Sequence, residues 1–143
     1  MGVLANVSCV SIRGRGLLLE GGPGSGKSSL AMALIDRGAV LIGDDGVLLE
    51  QRVGELWAHP PPNIAGKLEI RGVGIVDLAD TSAPIALVLS LDRSPVRLPA
   101  PEYSEWKGTL LPRLGFQSDG PYAALRAEWA LKLHGLAVTT SLS

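Results

Sequence analysis

Residues 21–28 read Gly-Gly-Pro-Gly-Ser-Gly-Lys-Ser and satisfy the phosphate-loop pattern G-x-x-x-x-G-K-[ST]. Glycines let successive backbone N–H groups converge on a phosphate without Cβ clashes. The Lys27 ammonium can reach the outer phosphates of a nucleotide, and the Ser28 hydroxyl can ligate the magnesium that they carry. The nucleotide-binding residues predicted from this stretch are Gly21, Gly22, Pro23, Gly24, Ser25, Gly26, Lys27, Ser28 and Ser29.

The residues on either side of the loop supply the context that a phosphate loop needs. Leu17–Glu20 is a short apolar run between glycines, which indicates a buried strand. After the loop, apolar side chains recur at helical spacing from about Lys27 to Arg37, and Gly38 supplies the stop. The positive end of this helix dipole would point at the same phosphate. Strand, loop and helix together predict an α/β nucleotide-binding fold.

Further strands are predicted by short apolar runs on both sides of this unit. They cover Val7–Ile12, Ala39–Ile42, Val47–Leu49, Leu56–Ala58, Lys67–Ile70 and Ile85–Leu91. The stretch Asp92–Glu105 contains several prolines and is predicted to be a loop. We therefore expect residues 1–143 to form a single α/β P-loop domain, with a mixed β-sheet, one helix after the phosphate loop and a C-terminal helix.

The C-terminal helix is predicted to begin with Asp119 as its cap and Pro121 in its first turn. Large apolar side chains then follow at spacings of three and four residues, which is the period of one helix face. These side chains are Tyr122, Leu125, Trp129 and Leu133, and they predict the buried face of the helix.

Composition excludes several classes of protein. The 143 residues are 46% hydrophobic and carry a formal net charge of −1, without the basic stripe that nucleic-acid binders show. No apolar run reaches the length of a membrane span, so no membrane association is expected. The one cysteine, Cys9, excludes an internal disulfide framework and fits a reducing cytosol, which predicts a cytoplasmic protein.

Two adjacent carboxylates follow the strand after the phosphate-loop helix. Asp44 and Asp45 stand about where a second magnesium-side carboxylate sits in such folds, and phosphoryl transfer to a hydroxyl benefits from a nearby base. In an extended backbone their side chains would point to opposite faces, so the two would not share one role. The alternative is a Gly-Asp-Asp-Gly hairpin turn, since these residues favour turns for reasons of their own.

A carboxylate and a guanidinium share a face of a later strand. Glu69 and Arg71 are two residues apart, whereas Leu68 and Ile70 occupy the other face. The pair lies next to a Gly-x-Gly turn and could bind metal and phosphate. The alternative for these two residues is a surface ion pair.

Several segments together resemble the catalytic domain of the HPr kinase/phosphorylase family. They are the phosphate loop, Arg37-Gly38, Asp44-Asp45 and residues 67–76, Lys-Leu-Glu-Ile-Arg-Gly-Val-Gly-Ile-Val. The E-[IV]-R-G-[LV]-G-I pattern in the last segment is that family's own signature. Gly14-Arg15-Gly16 and Arg97-Leu98-Pro99 are similar to the short, single-domain versions of alphaproteobacteria. The resemblance runs from about Asn6 to Pro112.

This resemblance implies a function and roles for individual residues. The activity would be transfer of the γ-phosphate of ATP to a serine of HPr, the small phosphocarrier protein, with Mg²⁺ as cofactor. Lys27 would be catalytic, Ser28 and Glu69 would bind the metal, and the Asp44-Asp45 pair would supply the base. Arg97 would be a further active-site arginine. The family also tends to form hexamers, so a homo-oligomer is an expectation for this chain.

The sequence departs from the family pattern at two points. Asn6 stands where the family usually has a histidine, and asparagine cannot titrate near neutral pH. Neither the N-terminal domain nor the basic C-terminal motif of the full-length enzymes is found. Both departures put the reverse reaction, phosphorolysis of phosphoserine-HPr, in question.

Two other functions are compatible with the same loop. One is a small-molecule kinase or a plain NTPase, which would turn over ATP without HPr or phosphorylate a metabolite. The other is a nucleotide-sensing regulatory module without catalysis, for which Asn6 is the main sequence indication. Such a module would bind ATP and change its affinity for a partner without labelling it.

Overall fold

The computed structural model describes residues 1–138, which form eleven strands and two helices. The strands are β1 (Gly2–Ala5), β2 (Val7–Ile12), β3 (Arg15–Glu20), β4 (Val40–Gly43), β5 (Gly46–Arg52), β6 (Glu55–His59), β7 (Lys67–Ile70), β8 (Gly74–Asp77), β9 (Ala83–Ser90), β10 (Glu102–Trp106) and β11 (Thr109–Gly115). The helices are α1 (Lys27–Asp36) and α2 (Ala123–His134). No helix in this part of the chain has the length and apolar character to cross a lipid bilayer.

Nine of the strands build one curled mixed sheet. Its order is β1-β5-β6-β9-β3-β2-β4, with β11 also paired to β9 and β10 paired to β11. β9 runs parallel to β3 and to β11, and the other pairings in this sheet are antiparallel. β7 and β8 form a separate antiparallel pair. The predicted mixed-sheet α/β class, with one helix after the loop and one at the C-terminus, is therefore confirmed.

The alternation of side chains along the central strands divides the core in two. Leu17 and Leu19 of β3 face one side of the sheet, where they pack with residues of both helices. Leu18, between them, faces the other side, where the curled sheet packs on itself. Every residue of β9 is buried, as expected for a strand covered on both faces. The sheet thus places the carboxyl ends of β3 and β9 side by side.

A hairpin stands where the sequence predicted the end of a loop. β10 begins at Glu102, inside the stretch assigned as loop, and pairs with β11 across a turn at Lys107-Gly108. Both turn residues have positive φ, 48° and 82°, which is the backbone of a tight hairpin turn. The sequence did not predict this strand, because prolines precede it and because β10 is largely exposed and so has no buried apolar run. Within residues 1–138, β10 pairs only with β11.

The predicted apolar stripe of the C-terminal helix faces solvent, so that prediction is wrong. Trp129 is 51% exposed, and Tyr122, Leu125 and Leu133 are exposed as well. The buried face consists of Ala123, Ala124, Ala127 and Leu131. α2 packs against α1 and the sheet, and small alanines let it lie close to them. The predicted cap is also wrong, because α2 begins at Ala123 with Tyr122 as its N-cap and no side-chain cap hydrogen bond.

Candidate functional site

A cavity of about 530 Å³ lies between the glycine-rich loop, the first turns of α1 and the carboxylates that follow β4. Its lining is polar and apolar in nearly equal measure and comes from four separate parts of the chain. The lining residues are Ser8, Pro23, Gly24, Gly26, Lys27, Ser28, Ser29, Met32, Asp44, Asp45, Glu69, Ile70 and Arg71. Most of the side chains that the sequence singled out therefore meet around one space.

The loop between β3 and α1 has the backbone that its glycines predict. Gly24 and Gly26 have φ of 78° and 99°, values that L side chains rarely adopt. The Ser25 N–H donates to the Gly22 carbonyl at 3.1 Å, so residues 22–25 form a turn. Gly26 is the N-cap of α1 and offers no side chain to the first turn of the helix. The free N–H groups of that turn are thus left for an anion.

The Lys27 side chain folds back over the first residues of this loop. Its ammonium donates to the carbonyl oxygens of Gly21 at 2.6 Å and Gly22 at 3.0 Å. The amine is therefore held over the loop at the start of α1, where a nucleotide's outer phosphates would approach the helix N-terminus. A phosphate bound there would replace these two contacts with neutral carbonyls by a contact between opposite charges.

Asp44 connects the end of β4 to the phosphate-loop serine. Its Oδ1 accepts hydrogen bonds from the hydroxyls of Ser28 and Ser8, each at 2.8 Å. Asp44 is only 8% exposed, so this carboxylate has little access to water. Ser8, on β2, was not singled out by the sequence, since a serine inside an apolar strand carries no motif. Asp44, which Ser8 also contacts, thus fixes the direction of the Ser28 hydroxyl.

Asp45 has a different environment from its neighbour. Its φ is 62°, in the left-handed region, and its side chain is exposed at the rim of the cavity. Its carbonyl accepts a hydrogen bond from the N–H of Asn6, which also has a positive φ of 63°. β4 pairs with β2, whereas β5 pairs with β1 and β6. The two aspartates therefore sit at a corner between different strand neighbours rather than at the tip of a β4–β5 hairpin.

This corner depends on the small size of Gly43. A Cβ at Gly43 would lie 2.1 Å from the carbonyl oxygen of Gly46, which is backbone and cannot move aside cheaply. We expect Gly43→Ala to destabilise the fold by about 2 kcal/mol or more, because the corner must open. Urea unfolding followed by circular dichroism measures this. Gly46→Ala is the matched control, since its Cβ would have no atom nearer than the Leu4 carbonyl oxygen at 3.4 Å. Equal stability of the two variants would contradict the expectation.

The β7–β8 pair brings a further carboxylate and a guanidinium to the cavity. Glu69, on β7, and Arg71, just after it, both line the cavity, while Leu68 is buried. Ile70 also lines the cavity, so the prediction that it shares the face of Leu68, away from the site, is wrong. The ion pair of this hairpin joins Lys67 and Asp77. Glu69 and Arg71 are not ion-paired with each other within the described residues, which removes the alternative of a simple surface pair.

Arg97 differs from the other predicted site residues, because it lies neither at the cavity nor in the loop that forms its wall. It lies in the exposed segment between β9 and β10 and is not among the lining residues. The remaining predicted residues, from the loop to Glu69, lie at the cavity or in the loop that forms its wall.

The donor set of the cavity suits a hard cation held together with phosphates. The Ser28 hydroxyl and the carboxylates of Asp44 and Glu69 are oxygen ligands of the type that Mg²⁺ prefers. Over residues 1–138, no group of three or more His, Cys, Asp or Glu side chains forms a ready metal cage. Mg²⁺ usually takes one or two carboxylates and completes its shell with water and substrate phosphates, so these residues fit it.

The structure is a mixed α/β fold in which a glycine-rich loop with the phosphate-loop sequence pattern joins β3 to α1, and its serine donates to the carboxylate of Asp44. The family model described as HPr Serine kinase C-terminal domain matches residues 3–83. The chain belongs to this family, and the resemblance that its motifs indicated is confirmed.

Individual relatives agree with the family match. The HPr kinase/phosphorylase of Streptococcus thermophilus is 44% identical over 70 residues, which is 48% of this chain and 23% of that protein. The HPr kinase/phosphorylase of Clostridium botulinum is 44% identical over 77 residues, or 54% and 24% of the two chains. The matched part of the chain thus spans less than a quarter of the length of these curated relatives.

A solved structure extends the likeness to nearly the whole fold. The Hpr(Ser) kinase/phosphatase from Coxiella burnetii superposes with a TM-score of 0.79 at 26% identity. The superposition covers 94% of this chain and 90% of the other. The likeness therefore includes the C-terminal part that lies beyond the family match.

Proposed function

We propose that this chain is a cytoplasmic protein serine kinase domain that transfers the γ-phosphate of ATP to a serine of HPr, assisted by Mg²⁺. The observation that carries the proposal is the convergence of Lys27, Ser28, Asp44 and Glu69 on one cavity at the start of α1. Membership of the HPr Serine kinase C-terminal domain family supports the choice of substrate. The named relatives, which are HPr kinase/phosphorylases, support it as well.

The loop and the helix start would hold the nucleotide. Backbone N–H groups of residues 24–28 would face the phosphates, and Lys27 would move from the loop carbonyls to the outer phosphates. Ser28 and Glu69 would hold the magnesium, which would neutralise charge on the phosphates as transfer proceeds. Catalysis would come mainly from positioning and charge compensation, as in other phosphoryl transfers.

The two aspartates would divide the work as their environments suggest. Asp44 Oδ1 already accepts hydrogen bonds from two serine hydroxyls, and Asp44 would orient Ser28. Asp45 is exposed at the cavity rim, where the hydroxyl of a partner protein can arrive. Asp45 would accept the serine proton while the serine oxygen attacks the γ-phosphorus in line with the departing ADP oxygen.

Two features of the proposal rest on the family resemblance alone. One is the role of Arg97 as a further active-site arginine. Because Arg97 lies outside the cavity, Arg97→Ala is expected to reduce phosphate transfer to HPr less than Lys27→Ala does. The other feature is the assembly of the chain into a homo-oligomer. The reverse reaction is not proposed, because Asn6 has no titrating side chain and its N–H is bound to the Asp45 carbonyl.

A turnover experiment tests the proposal against its rivals. The protein is incubated with ATP and Mg²⁺, with and without purified HPr, and both ADP release and phosphoserine on HPr are measured. ADP release that depends on HPr and matches the phosphoserine formed is the expected result. ADP release without HPr would favour an NTPase, which passes the phosphoryl group to water. ATP binding with neither product would favour a sensing module or a kinase whose small-molecule acceptor is absent from the mixture.

A further inference from the structure

The phosphate loop is contacted from outside by a carboxylate of the C-terminal half of the chain. Asp92 Oδ2 accepts a hydrogen bond from the backbone N–H of Gly22 at 2.6 Å, across seventy positions of sequence. A bond from an N–H to a carboxylate is stronger than one between neutral groups. Asp92 does not line the cavity, so its contact is with the loop and not with the space that a nucleotide would fill.

A hydroxyl holds the other end of the same turn. Ser118 Oγ donates to the carbonyl oxygen of Ser25 at 2.7 Å. The fit is close, since a Cβ at Gly26 would lie 2.6 Å from that hydroxyl oxygen. The turn closed by the Ser25 N–H and the Gly22 carbonyl is therefore bound at both of its ends by side chains that are distant in sequence.

Three parallel strands bring these two residues to the loop. β9 lies between β3 and β11 and runs parallel to both, so their carboxyl ends share one edge of the sheet. The Leu91 N–H donates to the Glu20 carbonyl at 2.8 Å, which sets the residue after it beside the loop. The Phe116 N–H donates to the Ser90 carbonyl at 3.0 Å, and Ser118 follows two residues later.

We infer that Asp92 and Ser118 are positioning residues that hold the phosphate loop in its nucleotide-binding shape. Both lie beyond residue 83, where the family match ends, and neither belongs to the motifs that the sequence analysis singled out. A loop already ordered in the bound shape loses less conformational freedom on binding, and affinity rises accordingly. The role in nucleotide affinity rests on the proposed function, whereas the ordering of the loop does not.

The two contacts predict effects of different size. Asp92→Ala removes a charge-assisted bond and is expected to weaken ATP binding about tenfold. Ser118→Ala removes a neutral bond and is expected to weaken it about threefold. Asp92→Asn keeps an acceptor oxygen and should recover most of the affinity. In HPr phosphorylation the KM for ATP should rise while kcat at saturating ATP stays within about twofold, because neither residue touches the reacting atoms.

The experiment measures two quantities for each variant, which are the hydrogen exchange of the loop and the affinity for ATP. Deuterium uptake by the peptide containing residues 21–29 is followed by mass spectrometry in the full chain without nucleotide. ATP dissociation constants are then measured by calorimetry for wild type, Asp92→Ala, Asp92→Asn and Ser118→Ala. Glu102→Gln is the matched control, since this exposed carboxylate pairs with Arg93 and does not reach the loop. Melting temperatures of all variants report any general loss of stability.

Faster loop exchange and weaker ATP binding in Asp92→Ala, with recovery in Asp92→Asn and no change in Glu102→Gln, would support the inference. Unchanged loop exchange or unchanged ATP affinity in Asp92→Ala would overturn it. Failure of the proposed function has different signatures, in which wild type either binds no ATP or binds ATP without phosphorylating HPr. The exchange data then still show whether Asp92 and Ser118 order the loop.

Discussion

Asp45→Asn is expected to bind ATP with nearly wild-type affinity and to lose phosphotransfer to HPr by about 10²- to 10⁴-fold. The reason is that an amide has the shape of the carboxylate but cannot take the proton from the attacking serine. The exposed side chain of Asp45 makes no hydrogen bond to any other residue within residues 1–138. The Asp45 carbonyl accepts a hydrogen bond from the Asn6 N–H, and the substitution retains this backbone bond. Single-turnover transfer at saturating ATP, together with calorimetric ATP binding, measures the two effects separately.

Asp44→Asn is the natural comparison for that variant. Its amide could still accept from Ser8 or Ser28, but it would carry no charge toward a metal held by Ser28. We expect this variant to need more Mg²⁺ for half-maximal activity and to regain part of its rate at high Mg²⁺. Transfer that survives in Asp45→Asn and cannot be rescued by Mg²⁺ in Asp44→Asn would reverse the two assignments.

Lys27→Ala is expected to lower both ATP affinity and transfer, the latter by about 10²-fold or more. In the proposed function the Lys27 ammonium at the start of α1 would contact the outer phosphates, and alanine removes its charge and its reach. Calorimetric binding and steady-state transfer to HPr measure the change.

Lys132→Ala serves as the control for that charge change. Lys132 lies on α2, with its ammonium over the ring of Trp129, away from the cavity. Its loss should leave both ATP affinity and transfer unchanged. If Lys27→Ala behaved like Lys132→Ala, the phosphate loop would not be the nucleotide site.

The local part of this site could be predicted because its determinants are short in sequence. The loop, the start of α1 at Lys27 and the strand Lys67–Ile70 each depend on neighbouring residues, and the structure has them where the sequence indicated. The different environments of Asp44 and Asp45 were harder to predict. The sequence indicated an extended backbone, in which the two side chains would point to opposite faces. In the structure their environments differ because Asp45 has a left-handed conformation at a corner between strands.

The parts that could not be predicted depend on distant packing. The four large apolar residues at helical spacing from Tyr122 to Leu133 predicted a buried face. The helix instead approaches the sheet so closely that alanines such as Ala127 make the contact. The contacts of Asp92 and Ser118 with the loop exist only because β9 and β11 align with β3. Sequence spacing carries no trace of such contacts, since both residues are ordinary loop residues by type.

The most direct test of the central claim is transfer of label from γ-labelled ATP to HPr by the purified chain. It is run beside α-labelled ATP and beside an HPr variant in which the acceptor serine is alanine. The proposal predicts label on HPr from the γ position only, and none on the alanine variant. Label absent from wild-type HPr, or equal on the two forms of HPr, would contradict the claim that this cavity phosphorylates that serine.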